Sequence, residues 1–156
     1  MRFFIDPVSL GIYCYEVDAR DFINTAIKAG YVECGRAPVE CETWNFTTDK
    51  WVMDQAKQAA NFNAKADKHL QAVRALREQL LNRLSGLGYD ALNEGDNAVV
   101  MATHAARRAL RDITEAPAVV AATDIDQLQA AISTAYKAIV AAAPEPLQVA
   151  FVGIQL

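Results

Sequence analysis

The stretch Asp54–Leu84 reads DQAKQAANFNAKADKHLQAVRALREQLLNRL, and its reading decides the fold. No Gly or Pro interrupts it, and its Ala, Leu, Gln, Lys and Arg are favoured helix residues. Apolar residues recur at Phe62, Ala66, Leu70, Val73, Leu80 and Leu84, which is helical spacing, and Leu76 and Leu81 widen the stripe. At 1.5 Å per residue the helix would be roughly 45 Å long. A stripe of that length is more than a small domain readily covers by itself. It is therefore expected to be a packing platform, for other helices of this chain or for a partner protein.

Residues 1–53 precede it and read as a small α+β unit. Arg2-Phe3-Phe4-Ile5 is a β-favouring run, Asp6-Pro7-Val8-Ser9 is turn chemistry, and Ile12 to Val17 is a second strand. Asp18 is placed to cap a helix over Ala19–Ala29, with Phe22, Ile23, Ala26 and Ile27 as its buried face and Gly30 at its C-terminal stop. Tyr31–Cys34 reads as a third strand. Glu42–Phe46 and Trp51–Met53, joined by Thr47-Thr48-Asp49-Lys50, read as a hairpin in which Trp44 and Trp51 pair.

Residues 54–146 read as a helical bundle. Gly86 and Gly88 are expected to break the long helix near Ser85, with Leu87–Gly95 as a connector. Asp96 is a candidate cap for a second helix, Asn97–Asp112, with Val100, Met101, Ala105 and Leu110 or Ala109 as its stripe. Pro117 is expected to act as a stop. Thr123 begins a third helix marked by Ile125, Leu128, Ile132, Ala135, Ile139 and Ala142, and Pro144 and Pro146 end it. The three helices together read as an antiparallel bundle. The last segment, 147–156, reads LQVAFVGIQL. It is expected to be an apolar strand, tied down in the chain's own sheet or added to a partner's.

Composition narrows the function. The chain has 156 residues, 53% hydrophobic and 22% charged, so it is globular. Its formal net charge is −4, which argues against nucleic acid as the main partner. The long helix carries six basic and three acidic residues, a local +3 that reads as a solvated, salt-bridged face. No apolar run approaches the length needed to span a bilayer, so no membrane is expected. Three cysteines, Cys14, Cys34 and Cys41, and no secretory signal fit free thiols in a cytoplasm.

Chemistry is sparse. His69 and His104 stand on predicted helices without a second ligand-type residue one turn away, and each reads as structural. The cysteines lack a fourth partner for a metal site. The nucleophile-elbow, phosphate-loop and dinucleotide glycine motifs do not occur. Asp18 with Asp21, and Asp124 with Asp126, sit at helix starts, where acids offset the dipole. Trp44, Phe46, Trp51, Tyr13 and Tyr15 read as sheet core or as an aromatic recognition surface. The expectation is a non-enzymatic protein without cofactor, metal or small-molecule substrate.

Two segments carry a resemblance. Ile5-Asp6-Pro7-Val8-Ser9-Leu10-Gly11-Ile12-Tyr13 is similar to the opening of many short proteins that tailed bacteriophages encode beside their tail-fibre genes, the tail fibre assembly proteins or tail assembly chaperones. Arg107-Arg108-Ala109-Leu110-Arg111-Asp112-Ile113-Thr114-Glu115-Ala116-Pro117 resembles their segment in which a helix closes on an LRDIT-like run before a proline. The chain then departs from that pattern: Ala118-Val119-Val120 leads into a whole further helix and the apolar tail. The resemblance implies a protein that binds a tail fibre or baseplate protein, in the host cytoplasm during assembly or retained in the virion tail. Leu70, Val73, Leu76, Leu80, Leu84, Phe151, Ile154, Leu156, Trp44 and Trp51 are the expected partner-binding residues. The alternative is a self-associating helical module, a homo-oligomer whose partner is a second copy.

Overall fold

The computed structural model describes residues 1–156. Arg2–Ile5 (β1) and Ile12–Tyr15 (β2) pair antiparallel across a turn built by Asp6. Its carboxylate accepts hydrogen bonds from the Val8 N–H at 2.9 Å and the Ser9 hydroxyl at 2.6 Å. Arg20–Lys28 (α1) comes next, and Val32–Glu33 (β3) returns to the other edge of β1, giving the sheet order β2-β1-β3. The expected cap at Asp18 does not form: α1 starts after Ala19 without a side-chain cap. Gly30, at φ +83°, closes the helix in the left-handed conformation expected of it. Glu42–Asn45 (β4) and Lys50–Met53 (β5) form a separate hairpin with Trp44 directly opposite Trp51. Its turn is Phe46–Asp49, one residue earlier than the sequence suggested. The Asn45 side chain accepts from the Thr47 and Thr48 N–H groups and draws Phe46 out of the strand.

Gln55–Glu94 (α2) is a single helix of 40 residues. It runs through Gly86 and Gly88, contrary to the expected break. A helical glycine costs only about 1 kcal/mol against alanine, and continuing the helix buries Ala91 beyond both. Gly95, at φ +77°, ends it, with the Asp96 N–H donating to Ala91 O and the Gly95 N–H to Leu92 O. Asn97–Asp112 (α3) is capped by Asp96, whose side chain accepts from the Val99 N–H. A 3-10 turn covers Ile113–Glu115, and Pro117 then opens rather than stops a short helix, Pro117–Val120 (α4). Ile125–Ala142 (α5) is capped by Asp124, not Thr123. The Asp124 carboxylate accepts from the Gln127 backbone N–H at 2.8 Å, and the Gln127 side-chain Oε1 accepts from the Thr123 N–H. The last segment is not a strand. It forms a helical turn, Glu145–Gln148 (α6), and a 3-10 turn, Val149–Phe151.

The chain is α+β, and its contacts divide it into two units, Met1–Asn61 and Phe62–Leu156, with the division inside α2 rather than at residue 53. The first unit buries five apolar side chains: Phe4, Ile5, Ile23, Ala26 and Cys34. In the second, one core joins Val73, Leu80, Leu81 and Leu84 of α2 to Leu110 and Ile113, to Leu128, Ile132 and Tyr136 of α5, and to Leu147, Ala150, Phe151 and Ile154. The α3 face differs from the expected one. Thr103, Ala106 and Leu110 point inward while Met101 is exposed. Thr103 can sit there because its hydroxyl donates to Val99 O at 2.9 Å, leaving its methyl to face Gly88 of α2.

Candidate functional site

The stripe and tail expected to meet a partner are largely spent inside the chain. Val73, Leu80, Leu84, Phe151 and Ile154 are buried in the second unit's own core, and Leu80 and Leu84 have no exposed surface at all. Leu70, Leu76 and Leu156 are partly buried against the same core. For Val73, Leu80, Leu84, Phe151 and Ile154 the expectation of a free binding surface is therefore corrected, while Leu70, Leu76 and Leu156 keep part of their surface exposed. The reason is the tail: its helical turn brings apolar residues at three- and four-residue spacing onto the α2–α5 core, where a strand's alternation would have exposed half of them. The Tyr136 hydroxyl donates to Ile154 O at 2.8 Å, and Arg83 donates to the carbonyls of Ala150 and Val152 at 3.2 and 2.8 Å. Burial raises the Tyr136 pKa. Beside this anchor Phe151, Ile154 and Leu156 line a groove of about 600 Å³ with Tyr136, Lys137 and Val140.

Trp44 and Trp51 remain partly exposed, in the first unit. Their rings meet edge to face at a centroid distance of 5.2 Å. The Trp51 indole N–H donates to Arg36 O at 3.1 Å, while the Trp44 indole nitrogen is buried without a hydrogen-bond partner. Both line an open pocket of about 630 Å³ with Cys34, Arg36, Asp49 and Lys50. Arg36 is held there by a bidentate pair with Glu42, at 2.8 and 2.9 Å, and that guanidinium keeps the Glu42 carboxyl below its ordinary range. Cys34 donates weakly to Arg36 O at 3.6 Å, and burial pushes its thiol pKa up, which suits packing rather than nucleophilic chemistry.

The first unit also presents apolar surface, including two side chains of α1, Phe22 and Ile27, whose spacing predicts burial. Phe22 and Ile27 are 69% and 51% exposed. At about 100° per residue, Phe22, Ala26, Ile23 and Ile27 span roughly 140° of the α1 surface. Only the middle pair, Ala26 and Ile23, is buried, so the apolar face is wider than its covering. Val8, Leu10, Ile12, Val17, Val52 and Met53 are exposed as well. Of eighteen large apolar residues exposed on the whole chain, twelve belong to this unit, against five buried ones. The signal was present in the sequence as an apolar arc too broad for a nine-residue helix on a small sheet. What it faced could not be read.

No group of three or more His, Cys, Asp or Glu residues is placed to hold a metal ion, and no helix is long and apolar enough to cross a membrane. No family model matches the chain, and no curated protein or solved structure matches it.

Proposed function

We propose that this chain is a non-enzymatic tail protein of a tailed bacteriophage, which binds a tail fibre or baseplate protein as an assembly chaperone or as a retained virion adaptor. One observation carries the binding half of this reading: the N-terminal unit exposes more than twice as many large apolar residues as it buries. A unit of about 60 residues has little core to begin with, and exposed apolar area of this kind marks a surface that another protein covers. The Trp44–Trp51 pair, half-open beside Arg36, supplies the residue types that dominate interface energetics. The tail-protein half rests on the resemblance of residues 5–13 and 107–117. The first of these segments spans the exposed Asp6 turn, where Val8 and Leu10 face outward.

The test is co-expression with a tail fibre or baseplate protein of a tailed bacteriophage. The two should copurify, and the Phe22→Glu/Ile27→Glu double variant should lose the fibre while keeping the helical circular dichroism of the parent. Mass spectrometry of purified particles then separates a retained adaptor from a departing chaperone. A chain that never copurifies with a fibre or baseplate component, and is absent from both particles and assembly intermediates, would refute the proposal. The sequence also allowed self-association as the function. Sedimentation of the purified chain and of the Phe22→Glu/Ile27→Glu variant separates the two, because a stable homo-oligomer that the variant dissolves would occupy the face assigned to the fibre.

A further inference from the structure

We propose that a small pocket between α2 and α3 is a carboxylate-binding site, filled by a Glu or Asp side chain of a partner protein. The pocket is about 170 Å³, the size of a short acidic side chain rather than of a cofactor. Its polar lining is rich in donors. Ser85 and Thr103 both face it, but each hydroxyl proton is already given to a backbone carbonyl, Leu81 O at 2.7 Å and Val99 O at 2.9 Å. The donors left are the Tyr89 hydroxyl, the His104 ring and the Arg107 guanidinium. No Asp or Glu lines the pocket, and the Arg107 Nε is buried with no hydrogen-bond partner. The Arg107 guanidinium, which lines the pocket and has no ion pair within the chain, is open to an anion, and a carboxylate is the one whose planar pair of oxygens matches the guanidinium fork.

The walls decide between anions and between sources. Arg107 is the one permanently charged group lining the pocket, and Leu92 forms part of its apolar wall. That suits a singly charged carboxylate better than a phosphate carrying up to two charges. At the rim Tyr89 and Leu92 are 65% and 58% exposed. A free acid would leave both in water. A polypeptide delivering the acid would cover them, as an apolar ring around a buried polar anchor. The site lies wholly within the second unit and does not depend on the tail-protein reading.

The experiment is a titration of the 15N-labelled full chain followed by NMR, with N-acetyl-glutamate methylamide as the probe. The expected result is saturable shifts at the Arg107 Nε–H and at the Tyr89 and His104 amides. The isosteric N-acetyl-glutamine methylamide should cause none at equal concentration. Arg107→Gln should weaken the probe's binding by about tenfold or more, and Arg107→Lys by less, because the charge survives without the fork. If Arg107→Gln lost helical structure, Tyr89→Phe, which removes one hydroxyl at the rim, should still weaken binding by about threefold. Absence of shifts, or equal shifts with the glutamine probe, would overturn the site. Tighter binding of inorganic phosphate would overturn the choice of anion, and acetate binding as tightly as the glutamate probe would overturn the choice of a protein side chain.

Discussion

Removing residues 147–156 should unfold the second unit, not merely trim a tail. The deletion takes Leu147, Ala150, Phe151 and Ile154 out of the core and leaves the Tyr136 hydroxyl without its acceptor. Truncating a buried Leu or Ile to Ala costs about 2–5 kcal/mol and a buried Phe about 3–5. Even at the low end, these three side chains amount to about 7 kcal/mol. The whole stability of a domain is about 5–15 kcal/mol. The truncated chain should therefore lose its cooperative thermal transition, followed by circular dichroism at 222 nm and by calorimetry. Graded variants bracket the effect. Phe151→Ala should lower the midpoint by about 12 °C or more, at about 4 °C or more per kcal/mol for a unit of this size. Tyr136→Phe, which leaves the buried Ile154 carbonyl unpaired, should cost about 1–3 kcal/mol. A truncated chain that melts at the parent's temperature would refute the packing of the tail, and would return Phe151 and Ile154 to the role of a free binding segment.

Gly86 and Gly88 should respond oppositely to alanine. A β-carbon on Gly86 meets nothing within 4 Å, so Gly86→Ala should stabilise by about 0.5–1 kcal/mol through helix propensity. One on Gly88 would lie 2.8 Å from Thr103 Cγ2, so Gly88→Ala should lose that gain or destabilise by about 1–3 kcal/mol, with Thr103→Ser restoring it; urea melts of the three variants check this. Acid should loosen the N-terminal unit. The Asp6 carboxyl, held low by the Ser9 hydroxyl and the Val8 N–H, and that of Glu33, held low by Arg2, contribute stability present above about pH 4 and lost as pH falls through their folded values. Both tryptophans lie in this unit, so their fluorescence reports its acid transition, and Asp6→Asn with Glu33→Gln should flatten it. Asp96→Ala and Asp124→Ala should each cost about 1 kcal/mol as lost helix caps, additive in thermal melts because the caps serve different helices.

Residues 54–84 alone were enough for a long helix and for the composition of its buried stripe, because period and propensity are local properties. The Trp44–Trp51 pairing and the cap at Asp96 were likewise written in short-range chemistry. Three features were decided only by tertiary structure. The helix passes Gly86 and Gly88 because burial of Ala91, and the room Gly88 gives Thr103, outweigh a local penalty of about 1 kcal/mol each. The tail's apolar residues fit a strand or a helical turn equally well. The choice fell to the helical turn because it alone sets Leu147, Ala150 and Phe151 into one core and offers Ile154 O to Tyr136. The destination of each apolar face was also beyond the local pattern. Hydrophobicity says that a side chain avoids water, but not what covers it. Tertiary packing covered the α2 stripe with this chain's own helices, one of the two coverings its length allowed, and left Phe22 and Ile27 outside, the reverse of the burial expected of them.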